Sequence, residues 1–82
     1  MKESINKILN SNKLTGNEKI ILIYFINNNL KVSLKNIDIA KSCNISITSV
    51  SNSINNLYKQ KILNLTKYDG RERNLEIDLQ YL

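Results

Sequence analysis

The segment Ile39-Ala40-Lys41-Ser42-Cys43-Asn44-Ile45-Ser46-Ile47-Thr48-Ser49-Val50 turns on Asn44. Before it, apolar spacing predicts a helix from Lys35 or Asn36 to Cys43, with Ile37 and Ala40 inward and Ile39 a further candidate. Asn44 breaks that helix, and Ser46 begins the next. In that helix Ile47, Val50, Ile54, Leu57 and Lys61 fall on one stripe. The opposite face carries Thr48, Ser49, Asn52, Asn55, Asn56 and Lys59. The expectation is a pair of helices meeting at a tight turn, the second of them polar on its outer side.

Upstream, Thr15-Gly16-Asn17-Glu18 has the Thr-x-x-Glu spacing of a capping box, placed directly before Ile20-Ile21-Leu22-Ile23-Tyr24-Phe25-Ile26. That apolar run could be a buried strand by composition. The cap and its length to Asn28 make it a mostly buried helix, ended by Asn27-Asn28-Asn29. Earlier still, Ile5, Ile8 and Leu9 suggest a short amphipathic helix within Ser4 to Leu14, frayed by Asn10, Ser11 and Asn12. Lys31 to Leu34 is β-compatible, as an edge strand or an extended connector. Downstream the period becomes two: Leu63 and Leu65, then Leu75, Ile77, Leu79 and Tyr81, alternate with polar residues. Asp69-Gly70 between them is a hairpin-turn dipeptide. The chain should close as a β-hairpin with a charged tip.

Helix, helix, tight turn, helix, hairpin resembles the winged helix-turn-helix family from about Leu14 to Tyr81. The resemblance implies that Ala40 lies where two helices touch and that Cys43 is an apolar position. It further implies a positive φ at Asn44, a turn plugged by Ile45, a recognition helix capped by Ser46, and Val50 at the pivot of the packing. The family places Gly between the recognition helix and the wing, whereas this chain has Gln60-Lys61. Either that helix end is not left-handed or a non-Gly residue sits there at a cost. The implied fold is α+β, mainly α: a three-helix core, a C-terminal two-stranded β-wing and a short extra N-terminal helix. Residues 1–14 are read as an N-terminal amphipathic helical extension and 15–82 as the winged helix-turn-helix domain.

Composition narrows the chemistry. There is no His and a single Cys, so a zinc site is not plausible, a Ser-His-Asp or Cys-His arrangement cannot be built, and no cofactor is expected. No acid, base or nucleophile cluster suggests an enzyme. One Cys makes no internal disulfide; Cys43 reads as a small buried hydrophobe. The longest apolar run, Ile20 to Ile26, is far short of the roughly 20 residues that span a bilayer. Met1-Lys2-Glu3-Ser4 leads into Asn-rich sequence and not an apolar signal region, so a cytoplasmic location without membrane partners is the expectation.

The 82 residues carry 12 Lys plus Arg against 7 Asp plus Glu, a formal charge of +5. Asn (14), Ile (13) and Lys (10) dominate, all types with A/T-rich codons, so a low-GC genome accounts for much of the Lys. Arg71 and Arg73 run against that bias. With Lys67 they gather at the hairpin end, where a winged helix approaches an A/T-rich minor groove. The alternative for these Arg residues is tip charge that keeps the hairpin soluble.

The resulting expectation is specific binding of double-stranded DNA, A/T-rich by preference. Ser46, Thr48, Ser49, Asn52, Asn56 and Lys59 would lie on the major-groove helix, with Lys67, Arg71 and Arg73 on the wing. A homodimer on a palindromic site is one option, and partner proteins of a nucleoprotein complex are another. An accessory factor at a plasmid or phage origin of replication or conjugative transfer is preferred over a small transcriptional regulator. The alternative of another class is a winged-helix protein–protein interaction module.

Overall fold

A computed structural model describes residues 2–82. In chain order it contains α1 (Lys2–Leu9), α2 (Gly16–Asn27), β1 (Lys31–Ser33), α3 (Asn36–Cys43) and α4 (Ile47–Lys59). The hairpin β2 (Leu63–Asp69) and β3 (Glu72–Ile77) follows, and a 3-10 turn at Leu79–Tyr81 completes the described chain. This is the expected winged-helix-like arrangement, mainly α, with one extension. β1 adds to β3, so the hairpin is part of a three-stranded antiparallel sheet of order β1-β3-β2.

The capping box forms as predicted. Thr15 Oγ1 accepts from the Glu18 amide at 3.2 Å and Glu18 Oε1 accepts from the Thr15 amide at 2.8 Å. Two of the orphan donors at the start of α2 are thereby satisfied, which favours helix over strand for the apolar run. Its end differs in detail from the expectation. Asn28 keeps a negative φ, and the left-handed residues are Asn29 (φ 58°) and Leu30 (φ 62°). The Leu30 amide donates to Phe25 O at 2.8 Å and the Asn29 amide to Ile26 O at 3.0 Å, the bond pair of a Schellman motif. α1 stops at Leu9, short of the expected Leu14; Lys19 Nζ donates to the Leu9 carbonyl at 2.8 Å and closes that end. Only Ile8 of its apolar trio is fully buried, and Leu9 faces water.

Around the turn between α3 and α4 the chain follows the expectation closely. Asn44 has φ 58° and ψ 45°, and the Ile45 amide reaches back to Ala40 O at 3.1 Å. Ser46 is extended, and its Oγ accepts from the Ser49 amide at 3.1 Å. Ile39, Ala40 and Val50 are buried, while Cys43 and Ile45 pack against the core from partly buried positions. Ile37 corrects the inward assignment. Residues two apart on a helix point in nearly opposite directions, so with Ile39 inside Ile37 must face out, and it does. On α4 the buried stripe is Val50, Ser53, Ile54 and Leu57. Ile47 is in line with it but exposed, because it lines an open groove beside Ile37. Lys61 lies beyond the helix, exposed, with φ 63°, which decides the open question at that junction: a non-Gly residue takes the left-handed position.

The hairpin turn has Gly70 at φ 61° followed by Arg71 without positive φ, the φ pattern of a type II′ turn. A bulge at Thr66 divides β2. Leu65 pairs with Leu75, but Lys67 pairs with Asn74. Beyond the bulge the alternation is therefore inverted relative to a regular strand. The last predicted strand positions are not strand. The Asp78 amide donates to Ile62 O at 2.8 Å and its carboxylate accepts from the Gln80 amide at 3.1 Å. That local bond turns the chain, so Leu79 and Tyr81 enter a 3-10 turn instead of continuing the alternation. One core unites all layers: Ile8 of α1, Leu14, Ile21, Leu22 and Phe25 of α2, Val32, Ile39, Val50, Leu57, Leu63 and Leu75 are among its members.

Candidate nucleic-acid interface

α4 presents its polar side because its buried stripe faces α2 and α3. At about 100° per residue, the direction opposite Val50, Ser53, Ile54 and Leu57 is that of Thr48, Asn52, Asn55 and Lys59. All four are exposed. Asn55 belongs with Asn52 at the centre of this line although it was not among the candidate contacts. The seven-residue step from Thr48 to Asn55 is the signal that places it there. Residues 46–62 contain no acid, so nothing on this face repels a phosphate.

The edges of α4 are used internally. Toward α2, Asn56 Nδ2 donates to Glu18 Oε2 at 2.6 Å, the second oxygen of the capping-box carboxylate. Glu18 is only 2 % exposed, and Asn56 satisfies it from across the helix interface. Toward the sheet, Ser51 Oγ accepts from Asn36 Nδ2 at 3.1 Å, and Asn36 Oδ1 accepts from Arg73 Nη2 at 2.8 Å. At the helix start the Ser46 hydroxyl donates to Ser49 Oγ at 2.9 Å, so these two candidates also bond to each other.

The wing candidates do not form one cluster. Residues paired across strands share a face, and Leu63, Leu75 and Val32 define the inner one. Arg73 pairs with Val32 and with Tyr68, so it is an inner-face residue; it is half-buried, with Nε enclosed and unpartnered among the described residues. Lys67 pairs with Asn74 and is turned to the outer face by the bulge. Arg71 is exposed in the turn, beside a cleft of about 510 Å³ that it lines with Ser33, Lys35 and Asp38. Its carbonyl accepts from the Leu34 amide at 3.1 Å, which ties the turn to the chain entering α3. Tyr68, 66 % exposed, stands next to Arg73 beyond the edge of the core. The bulge was not legible from the alternation, and it is what separates Lys67 from Arg73.

Cys43 is partly buried against the core, and burial pushes its thiol pKa up. A raised pKa keeps the thiol protonated and slow to react. Among the described residues no group of three or more His, Cys, Asp or Glu is placed to hold a metal ion. None of the described helices is long and apolar enough to cross a membrane. The fold and this polar, acid-free helix face define a winged-helix-type module suited to nucleic-acid or protein binding. No family model matches the chain, and neither a curated protein nor a solved structure shows significant similarity to it.

Proposed function

We propose that the chain binds double-stranded DNA, with α4 in the major groove and the wing turn against the adjacent backbone or minor groove. The observation that carries this reading is the line Thr48–Asn52–Asn55–Lys59, exposed, able to hydrogen-bond and free of acids. Asn52 and Asn55 are of the type that pairs with adenine through two hydrogen bonds, and Thr48 can meet either a base edge or a thymine methyl. Ser46 and Ser49 stand at the helix start, within reach of the same groove. Lys59, Lys67 and Arg71 supply phosphate contacts. Arg71 is the wing cation with freedom to enter an A/T-rich minor groove.

Two candidates receive a different weight in this reading. Arg73 is committed to Asn36, so its part is to hold the wing against α3 and α4. Asn56 is committed to Glu18, so its part is to fix α4 on α2. Retention on random duplex, measured against salt, tests the class: a DNA binder loses affinity steeply as salt rises. A flat response would leave the protein–protein reading of the fold instead.

The setting we propose is an accessory role at a plasmid or phage origin of replication or conjugative transfer. It rests on analogy with other small, low-GC winged helices. Selection of bound sequences from the source replicon tests it. Enriched sites at promoters would favour the transcriptional regulator, and paired inverted sites would support a homodimer.

A further inference from the structure

Between α3 and the first turn of α4 lies an open groove of about 550 Å³, whose lining includes Ile37, Ala40, Ile45 and Ile47 with Lys41 and Ser46. Ile37 is 43 % and Ile47 47 % exposed. The fold does not call for either: Ile39 and Ala40 fill the inner side of α3, and Val50, Ile54 and Leu57 that of α4. Two large exposed aliphatic side chains lining one open groove are a better sign of a partner than scattered surface isoleucines.

The charges around the groove say what kind of partner fits. No carboxylate lines it, and Lys41 does. α4 has no acid in its first turn, so the positive end of its dipole is uncompensated there. An occupant should therefore be apolar in the middle and acidic at its edges. A second copy of this chain does not supply that. Its acid-bearing helices are α1, α2 and α3, and the apolar side of each lies in its own core, centred on Ile8, on Ile21, Leu22 and Phe25, and on Ile39 and Ala40. DNA supplies the negative charge but only isolated thymine methyls as apolar surface. Ile47 also points about a quarter turn around α4 from the Thr48–Asn52–Asn55–Lys59 line.

We propose that this groove is the docking site for a short amphipathic helix of a partner protein, apolar on one side and edged with Asp or Glu. The claim rests on the DNA-binding reading in one respect: a duplex on the outer line of α4 meets the groove only at its Ser46 rim, so partner and DNA can be held together.

The test is an NMR titration of the isotope-labelled chain with a synthetic helical peptide bearing leucines at i and i+4 flanked by glutamates. A control peptide carries lysines in place of the glutamates. The expected result is saturable shifts confined to residues 37–47, no binding of the control, and affinity lowered about tenfold by Ile37→Ser and by Lys41→Glu. Ile37→Ser should leave retention on duplex DNA unchanged. Shifts scattered over lysines on every surface, or an affinity indifferent to Ile37→Ser, would overturn the proposal. So would a loss of duplex retention in Ile37→Ser, which would make the groove part of the DNA interface. A chain that takes the peptide in this groove but shows no affinity for duplex would remove the DNA reading and leave this one standing.

Discussion

Lys61 sits at φ 63°, where a side chain with a Cβ carries about 1–2 kcal/mol of strain. Replacing it with Gly relieves that strain at an unfolded-chain entropy cost of about 0.4–1 kcal/mol. Lys61→Gly should therefore raise Tm by on the order of 4 °C, read by thermal unfolding. Leu30 shares the conformation but packs against the core, so Leu30→Gly should not stabilise. The two wing arginines should separate cleanly. Arg71→Ala should weaken DNA binding, reduce the salt slope by about one and leave stability alone. Arg73→Ala breaks the bond to Asn36 and should cost about 1–2 kcal/mol in urea unfolding. Cys43 gives a pH signature. Its pKa is raised in the folded state, so the unfolded chain loses the thiol proton first. Its contribution is fully present below the ordinary thiol range and is lost as pH rises through it toward the folded value. The difference in stability between the native chain and Cys43→Ala should then shift with pH only at alkaline values.

At the scale of elements, one carboxylate joins two helices. Glu18 caps α2 through Oε1 and receives Asn56 of α4 through Oε2. Asn56→Ala should lower stability by about 1–3 kcal/mol, since it removes the partner of a buried charged group. A double-mutant cycle with Glu18→Gln should show strong coupling. Asn52→Ala, on the free line of α4, should change sequence preference in bound-site selection with stability intact. The capping box was legible in the residues because it is closed by bonds within four residues of itself, and the Asn44 turn and the Ser46 cap through the family resemblance, being equally local. The second half of the Glu18 network was not, because its partner lies 38 positions along the chain. Nor was the Thr66 bulge. Period-two reading assumes one register, and a single extra residue reverses every side chain beyond it.

On the scale of the molecule, the first helix is structural. Ile8 is fully buried in the common core with Ile21 and Leu22. Ile8→Ala should cost about 2–4 kcal/mol by urea unfolding, a large share of the order of 5–15 kcal/mol that holds a domain this size. The charge of +5 is spread unevenly over the folded chain: residues 46–62 are free of acids, while residues 63–82 carry four acids against three cations. The amino-acid order by itself determined the order of the helices and the hairpin, the capping box of α2 and the polar face of α4, because those follow from interactions between residues a turn or two apart. Only the tertiary structure decided which polar side chains also hydrogen-bond within the fold. Arg73 and Asn56 look in the sequence like their neighbours Arg71 and Asn52. Packing brings one donor of each to an acceptor far along the chain, a pairing that no local pattern encodes.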